Sequence, residues 1–589
     1  MPAKTAHPAP ELERQRSNCR VLRFFFLALL LLLLLAIAWV QIWQSESLSQ
    51  RSLRQQIRKV YVPAKRGMIA DREGTPLNYT IPAYTLVIRP DLLRDPRDSR
   101  RRTLEIVSLA ISELALYLGP EFYHFKPSLE SIRQHLEQRT PLPIPLWEDV
   151  SPQTIARWAT RRQDFPASEL LLSWKRCYAE PETAAQLRGF TRPGQLNDPD
   201  MKQYWNANFK EPVGISGLEL ALNFRLRGSG GSEVLQTDVL AFRNTILESH
   251  PAVNGEDVRL TLDLPLQRLA EELFEQHNYA GAAVLFDASD GSVLVLASSP
   301  TFSLDTPALP APNSAQFNRA LNGAYPPGSV IKPFLAMLAL REGLVTPAEK
   351  IFCPGYFSIN AETHIGCSAR YGHAEIDLVG ALAKSCNTYF CTVGQRLEGP
   401  GWEKMLETFG LGRKLNTLLY RQETAGVGYA PSVLRTQRPR DPHWYASDSA
   451  YASIGQGLWL VSPLQMAVCT GALLTGMAWQ PRFLLDDPIE LLDSYSWSEE
   501  HAQAIRQGLY DCVHAPGGTG RALAGLNVLG KTGTAEVSGK NPHAWCIAAL
   551  PAEAPRLIGV WVVENGGSGG KIAAPLLAQL LALAQERLP

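Results

Sequence analysis

The chain has 589 residues, 57 basic and 57 acidic side chains, and 45% hydrophobic residues. That length exceeds one ordinary core and points to roughly two to four folding units at about 150 residues each. The charge balance gives no reason to expect nucleic acid or an acidic ligand as a partner.

The segment FFFLALLLLLLLAIAWVQIW, residues 24–43, breaks the globular texture. At about 1.5 Å rise per residue it covers roughly 30 Å, the thickness of a bilayer's hydrocarbon core. Ala36-Ile37-Ala38 imitates a signal-peptide cleavage site. The apolar run nevertheless continues through Trp39, Val40, Ile42 and Trp43, and its tryptophans suit an interfacial belt. The segment reads as an uncleaved anchor behind a cytoplasmic tail, residues 1–23. Basic residues flank it on both sides, so charge alone does not orient it; the body that follows has no second apolar run of that length and lies on one side of the membrane.

Residues 44–60 are polar with helical spacing, and KRGMIADREGTPL, residues 65–77, predicts strand, turn and strand around Asp71 to Gly74. Residues 100–205 mix amphipathic helical patches such as RRTLEIVSLAISELALYL with a proline-broken stretch and read as a non-catalytic module. SGLELALNFRLRGSGGSEV predicts a helix ending at glycines, and EDVRLTLDLPLQRLAEELF a strand entering a helix capped near Asp263. A boundary falls near residue 275, dividing 44–275 from 276–589. GAAVLFDASDGSVLVLAS is a hairpin signal around Asp-Gly. LNVLGKTGTAEV, HAWCIAAL and RLIGVWVVEN are three later strands, followed by the helix AAPLLAQLLALAQERL. The fold class is α+β, with one antiparallel sheet closed by sequence-distant strands and helices on its faces.

Nine cysteines are scattered without CxxC pairs. Cys353 and Cys367 bracket the turn-rich CPGYFSINAETHIGC, with His364 and His373 nearby at irregular spacing. Free thiols, a disulfide in an oxidising compartment and a zinc site are the three readings of this loop. The sequence assigns no metal and no cofactor.

The chemistry centres on AYPPGSVIKPFLAML, residues 324–338. A serine hydroxyl needs a base, and lysine serves as one only when burial or nearby positive charge keeps it neutral. Ser329 and Lys332 lie one helical turn apart, and Pro333 requires the helix to begin around Gly328 to Val330. Ser329 could equally be only a helix cap. A second S-x-x-K, Ser568 to Lys571, shows how little the motif means alone, as does the S-x-N imitation at Ser358. Downstream of Ser329, however, come SCN, Ser385 to Asn387, and then KTGT, Lys531 to Thr534. Ser385 can relay a proton to a leaving amine, Asn387 can bind an amide, and Lys531, Thr532 and Thr534 can receive a carboxylate. The N–H groups of Ser329 and Thr534 could form an oxyanion hole.

The order S-x-x-K, S-x-N, K-T-G, with Gly533 as its glycine, resembles the penicillin-binding proteins and β-lactamases. RGMIADREGTPL, GISGLELALNFRLRG with DVRLTLDLPLQ, NRALNGAYPPGSVIKPF, KSCNTYF, SIGQGLWLVSPLQMA and GKTGTAEV through HAWCIAAL resemble successive parts of a class B penicillin-binding protein. The tail VVENGGSGGKIAAPL looks more like the elongation-type, penicillin-binding protein 2-like branch than the division branch. The resemblance implies a single transmembrane helix, an elongated α/β pedestal and a transpeptidase domain with a central five-stranded antiparallel sheet. It implies a peptidoglycan D,D-transpeptidase in the inner membrane, its catalytic domain periplasmic, with Ser329 the acylated nucleophile and Lys332 its base. Stem peptides would be the substrate, β-lactams the inhibitors, and a polytopic lipid II-polymerising glycosyltransferase with other cell-wall machinery the partners. A hydrolase, such as a D,D-carboxypeptidase or β-lactamase, and a non-catalytic scaffold or penicillin sensor are the rival readings.

Overall fold

The computed structural model describes residues 10–46, 48, 57–95, 98–137, 143–195, 210–237, 243–306, 315–397, 399–411, 415, 417–419, 441, 443–457 and 460–588. Residues 1–9 of the expected tail and 49–56 of the expected polar helix lie outside them. Helix α1 (Pro10–Trp43) contains Arg20–Ile42, the one helical stretch among the described residues long and apolar enough to cross a membrane. None of it is buried against the rest of the chain, as suits a segment whose solvent is lipid.

After the anchor the polar-helix expectation fails at its C-terminal end. Ile57–Val62 is a strand, paired antiparallel with Gly231–Thr237, which pairs in turn with Arg243–His250. The sequence IRKVYV is rich in β-branched and aromatic residues, but the partner that selects the strand lies far along the chain. The turn at Asp71 forms as expected: its Oδ1 accepts the N–H groups of Glu73 (3.0 Å) and Thr75 (2.7 Å), and strands Ile69–Ala70 and Pro76–Ile88 leave from either side. Pro76–Ile88 pairs along its length with Ser168–Tyr178, a strand inside the region read only as mixed. Helix Arg100–Leu118 lays Val107, Ile111, Leu114 and Leu118 on this sheet, one face at helical spacing. The helix expected in GLELALNFRLRG is two short helices, Gly217–Ala221 and Asn223–Arg227, parted at Leu222.

A buried carboxylate ties these pieces together. Glu219 accepts from Arg66 Nε (2.7 Å), Arg176 Nε (2.8 Å) and Asn78 Nδ2 (2.9 Å), and Arg188 Nε donates to Asn78 Oδ1 (2.7 Å). A fully buried charge persists only with such partners, and removing one partner of a buried pair costs about 3–5 kcal/mol.

The C-terminal half, expected to be catalytic, follows in chain order. Helix α2 (Leu264–Gln276) is capped by Asp263, whose side chain accepts the N–H of Leu266. Strands β1 (Gly281–Asp287) and β2 (Val293–Ser299) form the expected hairpin, from Gly281 opposite Ser299 inward. Helices α3 (Lys332–Arg341), α4 (Asn387–Gln395) and α5 (Pro463–Thr475) lead to β3 (Leu529–Val537), β4 (Lys540–Leu550) and β5 (Leu557–Val563), and α6 (Ala573–Arg587) ends the unit.

The sheet order is β2-β1-β5-β4-β3, antiparallel throughout, with Gly281 opposite Val563 where first and last strands meet. Alternation assigns the faces: Val284, Phe286, Trp545, Ile547, Val560 and Val562 join the core that contains α3 and α5. Leu285, Cys546, Trp561 and Val563 join α2 and α6 on the other face, where Trp561 stacks on Phe274 at 4.7 Å. Helix α5 is apolar all round because it is buried all round, and its 13 residues are too short to span a bilayer. β3, which carries KTGT, is left at the edge of the sheet.

Candidate active site

Gly328 to Ile331 form a 3₁₀ turn that runs into α3, so the α-helix begins at Lys332, slightly later than the sequence suggests, with Pro333 tolerated in its first turn. The residues flanking the turn and the helix on their N-terminal sides are Pro327 and Ile331, and neither start has a side-chain cap. Ser329 is therefore no helix cap. Gly328 adopts φ +59° and lies against the Thr534 carbonyl, and its N–H donates to Gly455 O at 2.9 Å. Gly455, in SIGQG, also has positive φ (+69°), and a Cβ there would stand 2.1 Å from Gly328 O. The backbone that presents Ser329, the expected nucleophile, thus rests on a second glycine with no space between. Gly455→Ala is expected to cut the acylation rate at least about tenfold, since the strained φ and the clash each cost on the order of 1–3 kcal/mol. Stopped-flow labelling with a fluorescent penicillin measures it, and an unchanged rate would show that the contact does not hold the loop.

Lys332 is fully buried. Its Nζ donates to Ser385 O (2.8 Å), Ser385 Oγ (3.2 Å) and Asn387 Oδ1 (2.7 Å). Burial, reinforced by the charge of Lys531, brings its pKa down to about 7, so a neutral amine is accessible near neutral pH. Lys531, also fully buried and lowered by that burial, donates to Ser385 Oγ (2.9 Å) and Thr532 O (3.0 Å). With both lone pairs of Ser385 Oγ facing lysine donors, its own proton points elsewhere, as a relay toward a leaving amine requires. Ser385 sits at φ +57°, a strained conformation for serine that aims the hydroxyl between the lysines.

Asn387 begins α4. Its Oδ1 is taken by Lys332 and one Nδ2 hydrogen by Gly366 O (2.8 Å), which leaves the other for a substrate amide. On β3, Thr532 Oγ1 meets Thr519 Oγ1 at 2.7 Å, while Thr534 is exposed beside the Ser329 turn. The structure thus brings Ser329, Lys332, Ser385, Asn387 and Lys531 to Thr534 together, with Ser385 as the shared centre.

Of the two imitations, Ser358 is occupied with His364 Nδ1 at 3.0 Å. The Ser568 loop has a part the sequence did not announce: Gly569 N–H points to Thr534 Oγ1 (3.4 Å), and a Cβ at Gly569 would lie 2.2 Å from the carbonyls of Gly533 and Trp545. The loop braces the KTGT strand. Glycine contacts of this kind leave no mark in a residue-type pattern beyond the glycines themselves.

Cys353 and Cys367 are free thiols, so the disulfide reading is not realised. They converge instead with His373 and Cys386, all four ligand atoms within 4.8 Å of one another. Tetrahedral zinc with Zn–S near 2.3 Å and Zn–N near 2.1 Å sets ligand edges of about 3.8 Å for S···S and about 3.6 Å for S···N. Cys367 Sγ lies 3.7 Å from Cys386 Sγ, and His373 Nδ1 lies 3.5 Å from the sulfurs of both Cys353 and Cys367. The donor set and its spacing fit such an ion. Cys386 is the middle residue of the SCN motif, and Asn387 N–H donates to Cys367 Sγ (3.3 Å), so the cluster fastens the second motif from behind.

The family model described as the penicillin binding protein transpeptidase domain matches residues 281–582, more than half of the chain, and that of the penicillin-binding protein dimerisation domain matches residues 61–260. The chain belongs to the penicillin-binding protein transpeptidase family. It is similar to the peptidoglycan D,D-transpeptidase MrdA of Haemophilus influenzae, 29% identical with 93% of this chain and 89% of that protein covered. The Escherichia coli K12 MrdA is 26% identical, with 92% and 90% covered. Among solved structures, penicillin-binding protein PBP2 of Helicobacter pylori, in a complex with MreC, superposes with TM-score 0.75 at 25% identity, covering 90% of this chain and 99% of that one.

Proposed function

We propose that the chain is an elongation-type peptidoglycan D,D-transpeptidase, anchored by α1 in the inner membrane with its catalytic unit in the periplasm. The observation that carries the mechanism is the single hydroxyl of Ser385 held by both Lys332 and Lys531, which joins three motifs distant in sequence. Lys332 takes the proton of Ser329 Oγ as it attacks the penultimate D-Ala carbonyl of a stem peptide. The oxyanion is received by the N–H groups of Ser329 and Thr534. Collapse breaks the peptide bond, Ser385 passes a proton to the departing D-Ala amine and regains one from Lys332 across their hydrogen bond, and an amine of a neighbouring strand then attacks the ester, its proton passing through Lys332 to the oxygen of Ser329 as that serine is freed. Lys531, Thr532, Gly533 and Thr534 hold the terminal carboxylate along the edge of β3, while Asn387 holds an amide. A β-lactam presents the same carbonyl and carboxylate but keeps its leaving group tethered, and so traps the serine.

Mapping the β-lactam adduct by peptide mass spectrometry tests this reading, with the adduct expected on Ser329 and persisting for minutes or longer. Rapid hydrolysis of the β-lactam would instead favour a hydrolase. Partners are proposed from likeness alone: a counterpart of the MreC found with the Helicobacter protein, and a lipid II-polymerising glycosyltransferase.

Zinc at Cys353, Cys367, His373 and Cys386 is proposed as a structural ion that holds the SCN segment and takes no part in the chemistry. Native mass spectrometry of the purified protein is expected to find one ion per chain, lost in Cys353→Ser, and chelation to lower the melting temperature by about 5 °C. A Cys367–Cys386 disulfide with no bound ion would refute it.

A further inference from the structure

Glu564, just beyond β5, belongs to none of the motifs. Its Oε1 accepts two hydrogen bonds, from Tyr325 OH at 2.7 Å and from Arg319 Nε at 2.9 Å. Arg319 opens the short helix Arg319–Asn322, and Tyr325 stands four positions before Ser329. One carboxylate therefore brackets both ends of the segment that delivers the nucleophile.

Every other hold on that segment supports the same geometry. The Arg319 side chain is 5% exposed, and its backbone N–H donates to Ser298 Oγ at 2.9 Å. Tyr325, also 5% exposed, exchanges backbone hydrogen bonds with Val461 (3.1 and 2.9 Å), and its ring stands edge-on to His543 and Trp545 of β4. Burial, and then the adjacent carboxylate, push the phenol well above its ordinary range, so it stays a donor at any pH the protein meets. From Tyr325 the chain runs through Pro326 and Pro327, which restrict rotation, to Gly328 and its clamp on Gly455. This stiff segment is the covalent path from the phenol to Ser329. Glu564 itself is anchored through its N–H to Ala280 O at 2.7 Å, at the start of β1.

We infer that Glu564 is a positioning residue for acylation: through Tyr325 and Arg319 it holds the Ser329 turn at the height of the oxyanion hole, without touching substrate. This rests on Ser329 being the nucleophile. Such a residue acts on the chemical step after the β-lactam has bound, whereas an ion pair serving stability alone acts on melting.

The test uses the full-length protein in detergent and separates non-covalent binding of a fluorescent penicillin from the acylation rate constant by stopped flow. Acylation of the wild-type protein elsewhere than Ser329 would overturn the parent reading itself. With Ser329 acylated, Glu564→Ala and Tyr325→Phe are each expected to lower the rate constant about tenfold, the scale of a lost charge-assisted hydrogen bond, with non-covalent affinity within about twofold. The double variant should be no slower than the slower single one, because both remove the same link. Glu564→Gln, which keeps an acceptor oxygen, should recover most of the rate. Wild-type rates in both single variants, additive losses in the double, or losses that track melting temperature would overturn the proposal. If Glu564→Ala does not fold, Tyr325→Phe, which keeps the packed ring, carries the test.

Discussion

Ser329→Ala abolishes covalent capture of penicillin: fluorescent labelling is expected to fall by a factor of about 10³ or more, with the melting temperature unchanged within about 2 °C. The reason is local. Ser329 is half-buried at the mouth of a 3₁₀ turn and caps no helix, so removing its oxygen leaves the turn, the Gly328 to Gly455 hydrogen bond and α3 in place. Ser385, another hydroxyl of the motifs, is held by two lysines and occupies a strained backbone position, which fits a proton relay and not a substitute nucleophile. Gel fluorescence of the variant beside the wild type measures the loss. Labelling at the wild-type level would remove Ser329 from the mechanism. Failure of the variant to support growth in a cell depleted of the native protein would separate an enzyme from a scaffold, because a scaffold needs no nucleophile.

Lys332→Met carries the second large effect. Methionine fills similar space without an amine, and the acylation rate is expected to fall about 10²–10⁴-fold, the usual contribution of a positioned general base. In stability the variant trades the desolvation cost of a fully buried amine against the three hydrogen bonds that Nζ makes, so its melting temperature is measured beside the rate. The pH profile of the wild type supplies the sign. Burial and Lys531 bring the Lys332 pKa to about 7, so below that value the lysine is protonated and cannot accept the serine proton. The acylation rate should drop by about tenfold per pH unit below the pKa and level off above it. Stopped-flow labelling between about pH 5 and 9 resolves this limb. A flat profile in the wild type would assign the base elsewhere.

Much of the catalytic half was legible because its signals are local. The Asp-Gly turn between alternating apolar runs gave β1 and β2, and Asp263 before an apolar helical face gave the start of α2. Three motifs, each attached to an element start or a strand, gave the residues that Ser385 joins. What stayed hidden depends on partners distant in sequence. Ile57–Val62 carries helical spacing in its flanks and becomes a strand only because Gly231–Thr237 lies alongside. Ser168–Tyr178 is selected in the same way by Pro76–Ile88. Cys386 reads as the variable residue of a motif until the fold brings it beside Cys367, and Glu564 reads as one acid among many until Tyr325 and Arg319 reach it.

The brace between Gly569 and Gly533 bears on drug sensitivity. A side chain at Gly569 would have no room against the Gly533 carbonyl, so the edge of β3 proposed to receive a β-lactam's carboxylate rests on a loop that carries none of the three motifs. Susceptibility to the antibiotic is in this respect a property of main-chain packing, and substitutions in residues 565–572 belong in any survey of tolerance alongside those that line the cleft.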